Sequence, residues 1–268
     1  MTLKYNPFAI FRDSRTPAGL YARQKWLGES ADRKWQDDFQ ITVFSLMKGQ
    51  CGDGSWHHSP LETIRRLFGL HLTVRDLNED IDRALTWLMA ETLHEEALIQ
   101  AGAPPISSSH LHGLPFTPGQ PRTFLFSATL FLSSVFHRTA EALVTRNYEF
   151  LAQWVAANED NTELWSDKSN ALRAFIVDPS FAEHSATVSL IYHLGRMQDP
   201  SGCWPAPIPF FQTVNALAHS DLPSACDHLA KALQRLPDFQ NVDGSWGQTD
   251  QEWNTFLMVH ALKNKAYL

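Results

Sequence analysis

Cysteine is scarce in this chain: Cys51, Cys203 and Cys226 are widely separated and form no CxxC pair. That spacing excludes a disulfide framework or a CxxC metal pair and suits reduced thiols in a cytoplasmic protein. Long apolar runs are missing too. The most apolar stretch, residues 123–136, carries Ser and Thr and is too short to cross a bilayer. The opening segment, MTLKYNPFAIFRDSR, is broken by Asn6, Pro7, Arg12 and Asp13, and it reads as neither a secretory signal nor an anchor. Any membrane contact would therefore be peripheral, through a surface patch. Positive charge is also short, with 22 Lys and Arg against 29 Asp and Glu and a formal net charge of -7. No basic cluster is present to neutralise phosphates, so nucleic acid is not an expected partner. Charged residues make up 19% of the chain and hydrophobic ones 44%, which excludes charge-rich disorder and allows a sizeable core.

Aromatic residues, by contrast, are plentiful: 9 Trp, 17 Phe and 5 Tyr, or 12% of the chain. Such a composition suits a fold with a large aromatic-walled interior. Three segments share one pattern. GQCGDGSW carries Gln50, Gly54, Ser55 and Trp56; MQDPSGCW carries Gln198, Gly202, Cys203 and Trp204; FQNVDGSW carries Gln240, Gly244, Ser245 and Trp246. A helix-patterned stretch precedes each segment, and another with an early Thr follows, at Thr63, Thr213 and Thr255. The Asp-Gly or Ser-Gly step makes a turn in which Gly supplies the positive φ, ending one helix and reversing the chain. Trp then packs on the turn, and Gln satisfies backbone groups left open at the helix ends. The spacing of the last two turns suits one helical hairpin per repeat, the middle repeats having lost the motif.

These segments resemble the QW motif of squalene-hopene cyclases, oxidosqualene cyclases and related prenyltransferase-repeat proteins, over roughly residues 36–264. The resemblance implies an all-α fold, a single α/α toroid (α6/α6 barrel) of helical hairpins filling residues 1–268. Helices ending at Gln belong to the outer ring, which implies outer helices at 36–50, 79–98, 140–156, 183–198 and 223–238. Inner helices are then expected at 16–27, 60–72, 122–137, 161–175, 207–219 and 250–262. Six inner helices complete one ring, with the sixth outer element supplied by a terminus. The stretch 101–122, AGAPPISSSHLHGLPFTPGQPR, has no helical periodicity and reads as either a lid or a connector.

Family chemistry is only partly matched. The DxDD acid of class II terpene cyclases is absent: Asp37-Asp38 and the pair Asp80 and Asp82 lack its order. Asp80 and Asp82 instead suit the positive end of a helix dipole. The DDxxD motif that works with Mg²⁺ is missing as well. The zinc set of protein prenyltransferase β subunits is not kept, since Asp199 and Cys203 are too far apart and Asn254 stands where the late His falls. No cofactor is assigned.

Among the residues themselves, His94, Glu95, His110 and His112 are metal-ligand candidates without a recognised spacing. His71, His137, His219 and His260 all fall late in proposed inner helices, where they either cap carbonyls or form a polar rim for an anionic head group or proton transfer. Phe68, Phe124, Phe126, Phe131, Phe210, Phe211 and Phe256 are either core or the wall of a pocket. Glu62, Arg65, Gln212, Asn215, Glu252 and Asn254 would be costly to bury without a partner or ligand, and Glu252 is the carboxylate candidate for a proton donor.

The resulting expectation is a divergent terpene-cyclase-like protein that handles an isoprenoid or other apolar small molecule in its central cavity. A non-catalytic toroid that binds a lipid or peptide is the alternative. A further one is a zinc-dependent or glycosidase-like toroid enzyme, the latter needing two carboxylates about 5–9.5 Å apart.

Overall fold

The computed structural model describes residues 2–94, 98 and 104–268. Those residues form an all-helical structure with eleven α-helices and no strand longer than an isolated bridge. In chain order they are α1 (Pro17–Lys25), α2 (Arg33–Met47), α3 (Pro60–Thr73), α4 (Glu79–Thr92), α5 (Pro121–Val135), α6 (Ala142–Ala157), α7 (Trp165–Val177), α8 (Ser185–Met197), α9 (Phe210–Leu217), α10 (Pro223–Phe239) and α11 (Gln251–Asn264). Proline opens α1, α3, α5 and α10, where its missing N–H costs nothing. Side chains of Thr16, Ser59 and Asn78 accept hydrogen bonds from the first-turn amides of α1, α3 and α4.

The helices contact one another in an alternating order. Helices α1, α3, α5, α7, α9 and α11 touch in succession, and α11 returns to contact α1. The other helices flank them: α2 lies on α1 and α3, α4 on α3 and α5, α6 on α5 and α7, α8 on α7, and α10 on α9. Four expected spans need correction. The 36–50 helix runs from Arg33 to Met47 and ends before Gln50. The 79–98 helix stops at Thr92, because Leu93 leaves helical geometry and buries its side chain. The 161–175 helix begins as a short 3-10 turn at Thr162–Leu164 before α7. The 207–219 helix is confined to Phe210–Leu217, with Pro207 and Pro209 ahead of it.

The three glutamine–tryptophan turns have the same construction. Gln50 Nε2 donates to the carbonyls of Gly54 and Asp80, at 2.9 Å each. Gln198 Nε2 does the same with Gly202 and His228, and Gln240 Nε2 with Gly244 and Tyr5. Each amide thus ties its own turn to the neighbouring flanking element: α4, α10 and the N-terminal segment. Glycine is required at these turns. Gly54, Gly202 and Gly244 have φ of 96°, 87° and 90°, and an added Cβ would meet the backbone of Arg83, Lys231 and Asn6. Trp56 and Trp246 are fully buried, and their backbone amides donate to the hydroxyls of Thr63 and Thr255. This bond explains Thr63 and Thr255. Because the third turn packs on Asn6 and Tyr5, the N-terminal segment takes the flanking place beyond α10.

The 101–122 stretch ends at Gln120, where α5 begins. Residues 101–103 lie outside the described residues; 104–110 are mostly exposed, and the part from Leu111 to Gly119 is largely packed. Asn170 holds Thr117 by three bonds, Asp167 accepts from the Gln120 amide, and Trp253 Nε1 donates to the Leu114 carbonyl.

Candidate binding cavity

All six successively packed helices contribute to one cavity of about 470 Å³. Phe68 of α3, Phe131 of α5 and Trp253 and Phe256 of α11 form its apolar part. Phe68 meets the Trp253 ring edge-on at 5.9 Å, and Trp253 stacks on Phe256 at 5.2 Å. The polar part gathers where α1, α3, α7, α9 and α11 end. Arg173 on α7 is 5% exposed and donates to Asn215 Oδ1 and to the Gln212 carbonyl, each at 2.7 Å. Arg75, just past α3, lies 4.5 Å over the Tyr21 ring and donates to Gln24 Oε1. His219 and His260 stack at 5.0 Å, and His260 Nε2 is 3.3 Å from the Tyr21 hydroxyl.

The protonation states follow from burial and from the neighbouring arginines. Burial, helped by the Arg75 charge, pushes His71 down to about 4. His219 is lowered to about 4 by burial and Arg173, and His260 to about 3 by burial, His219 and Arg173. Burial also pushes Arg173 down, to about 9, which leaves it cationic at neutral pH. Tyr21 is raised by its burial and stays protonated. No Asp or Glu is among the described wall residues. At neutral pH the cavity therefore offers cations, hydrogen-bond donors and neutral imidazoles, and no carboxylic acid.

A second, more open groove of about 800 Å³ lies at the start of α1, α3 and α11. Phe68, Leu72 and Trp253 line both spaces and form the waist between them. Here stands Glu252, which accepts hydrogen bonds from Ser14 and Thr16. Glu62 is in the same groove, paired with Arg66 at 2.7 Å, and Asp250 pairs with His112.

Of the residues singled out from sequence, Phe131, Asn215, His219 and Phe256 reach the cavity, as do His71 and His260. Glu252 and Glu62 do not: they belong to the groove beyond the waist. Phe124 is fully buried against Phe116 in the core. Phe210 and Phe211 sit at the start of α9, with Phe210 against Trp204 and Phe239. Gln212 serves through its backbone carbonyl, and Asn254 bonds the turn at Thr249. His137 is exposed.

Asp37 and Asp38, which lack the order of the acid motif, part company, since Asp38 is buried between Arg23 and Arg15 and held ionised first by its bond to Arg23. Asp80 pairs with Arg83 in the first turn of α4. The metal candidates are not gathered. His94 and His110 are exposed, His112 pairs with Asp250, and Glu95 lies outside the described residues. Among the described residues the group within mutual ligand reach is instead Cys51, Asp53 and His58, on the first turn. Asp53 is already engaged there by Ser55 and His58, much as Asp243 is by Ser245 in the third turn. Sequence reading missed Arg173, although a lone cation in the apolar run ALRAFIV was a usable signal.

A crystal structure of a protein from Actinoplanes is similar to this chain, with a TM-score of 0.58 and 15% sequence identity, over 96% of this chain and 90% of that one. At that identity the likeness is one of fold. No protein-family model matches the chain, and no curated protein does.

Proposed function

We propose that the chain is an α/α toroid of the prenyltransferase and squalene-cyclase repeat type, whose central cavity receives an isoprenoid or similarly apolar small molecule. The closed succession of six helices and the repeated construction of the three turns support the toroid reading. The observation that carries the ligand reading is the aromatic wall of Phe68, Phe131, Trp253 and Phe256 around one cavity. Its volume falls in the range of ordinary small-molecule sites.

One observation favours binding without acid-initiated cyclisation. Protonating an alkene needs a positioned acid, and the described cavity wall has no carboxyl group, while its histidines are neutral. The reading is therefore of a binding toroid, or of an enzyme whose chemistry does not start from a strong acid. Native mass spectrometry of the purified protein, with and without added farnesol, tests it. A bound apolar mass is expected in the wild type and is expected to be lost when Val135→Trp fills the cavity. No retained mass and no farnesol binding would overturn the proposal.

A further inference from the structure

Among the described residues, the most deeply buried cation of the cavity, Arg173, meets no carboxylate. Arg173 is almost wholly buried, yet its guanidinium meets only the neutral oxygens of Asn215 and Gln212. A buried cation is ordinarily paired, because neutral acceptors only partly offset the cost of taking it out of water. Arg75 is half-buried with Asp76 beside it, yet its Nε is buried and without a hydrogen-bond partner. His71 Nδ1, in the same wall, is buried and unpartnered as well. Arg75 Nε–H can only donate, and His71 can do so in its Nδ1–H tautomer. Arg173, Arg75 and His71 thus line one space whose described wall includes no carboxylate.

The geometry points to an apolar monocarboxylic acid as the ligand of this cavity, its hydrocarbon on Phe68, Phe131, Trp253 and Phe256 and its carboxylate at Arg75, Arg173 and His71. This inference rests on the proposed reading of the cavity as an apolar-ligand site. A single charge fits better than a phosphate or diphosphate. The cationic end lies where helices finish, and helix C-termini carry partial negative charge that disfavours a multivalent anion. Phosphates are more often held by backbone N–H groups at helix N-termini. The described wall also offers no carboxylates to hold the Mg²⁺ that accompanies diphosphates. Neutral His219 and His260 add no further charge and leave Arg75, Arg173 and the mouth residue Lys25 as the cations.

Calorimetric titration of the full chain with farnesoic acid, farnesol and farnesyl diphosphate compares three head groups on one hydrocarbon. The acid is expected to bind at least about tenfold tighter than the alcohol, the scale of one charge-assisted hydrogen-bonded pair. Arg75→Gln should remove most of that advantage, weakening the acid far more than farnesol. Equal binding of acid and alcohol would overturn the carboxylate site while leaving the apolar cavity standing. Tightest binding of the diphosphate would overturn the single-charge assignment. If none of the three binds, the apolar-ligand reading fails with it. Should Arg75→Gln not fold, the ratio measured on the wild type decides alone.

Discussion

The imidazoles of His219 and His260 are stacked, with centroids 5.0 Å apart and planes at 18°, inside a wall that also holds Arg173, Arg75, His71 and Tyr21. None of these neighbours favours a second positive charge. The two rings therefore stay neutral, to about 4 and about 3, and His71 to about 4, whereas all three titrate near 6.5 once unfolded. Between those values the unfolded chain binds more protons, so stability rises with pH. Their contribution is fully present above pH 6.5 and is lost as pH falls toward 4. Urea unfolding across that window should show a steady decline on acidification. His260→Phe keeps a ring for Phe256 to stack on but cannot take a proton, so it should flatten the decline. At pH 5 it should gain on the order of 1–2 kcal/mol over the wild type, relative to the difference at pH 7. Parallel profiles for the two proteins would contradict this.

Asp167 works in the opposite direction. Its carboxylate is 3% exposed and accepts from the Gln120 amide, and burial pushes it up to about 6, above its unfolded value of 3.8. The charged form is thus the costly one, and that cost is present above pH 6 and disappears as pH falls toward 3.8. Asp167→Asn retains an acceptor for Gln120 without the charge. It should stabilise the protein at pH 7 by roughly 1–3 kcal/mol and steepen the loss of stability on acidification, because the histidine trend is no longer opposed. Chemical denaturation at pH 7 and pH 5 reads both effects.

How far the sequence led depended on what each signal encodes. The Gly, Trp, Gln and Thr of a turn act within a few residues of one another, so Gln50, Gln198 and Gln240 revealed where helices reverse. Depth along a helix is a different matter. Glu252 and Phe256 are one turn apart on the same side of α11, and periodicity places them together. The waist made by Trp253 and Phe68, from another helix, puts one in the groove and the other in the cavity. Nothing local to α11 reports that barrier. Arg75 was equally hidden: it lies past the end of α3 with φ of 67°, where no helical pattern assigns it a face. Phe210 and Phe211 were misplaced because the helix they open starts later than its apolar pattern, which leaves Phe210 over Trp204.

Gln240 carries the junction between the two ends of the chain. Its Oε1 accepts from the amides of Lys4 and Tyr5, and its Nε2 donates to the Tyr5 and Gly244 carbonyls. Gln240→Ala strands these groups and should cost about 1–3 kcal/mol. Gly244→Ala is expected to be worse, since its Cβ would stand 2.0 Å from the Asn6 oxygen. Gly49→Ala is the control, with φ of 81° but open space around it, so only backbone strain of about 1–2 kcal/mol applies. Hydrogen exchange should show residues 4–11 released in both junction variants and protected in Gly49→Ala. Equal costs for Gly244→Ala and Gly49→Ala would mean that the N-terminal segment yields without loss.

The segment before α5 closes the cavity from the groove side, and Asn170 is what fixes it. Its Oδ1 accepts from the Thr117 amide at 2.8 Å and from the Thr117 hydroxyl at 3.2 Å, and its Nδ2 donates to the Thr117 carbonyl at 3.1 Å. One fully buried side chain thereby satisfies both backbone groups of Thr117, much as a neighbouring strand would. Pro115, two residues earlier, lines the cavity, and Leu114 takes the Trp253 indole bond. Asn170→Ala leaves the Thr117 N–H and carbonyl buried without partners, at a cost of about 1–3 kcal/mol for each unsatisfied group. The chain has a cheaper response than whole-molecule unfolding, which is to let residues 114–119 move away from α7 and admit water. Hydrogen exchange at Thr117 should therefore accelerate far more than exchange in α8. Farnesol should then bind and leave faster, because the groove-side barrier includes the same segment. If exchange at Thr117 and in α8 rises equally, the segment is an integral part of the core rather than a separately closing wall.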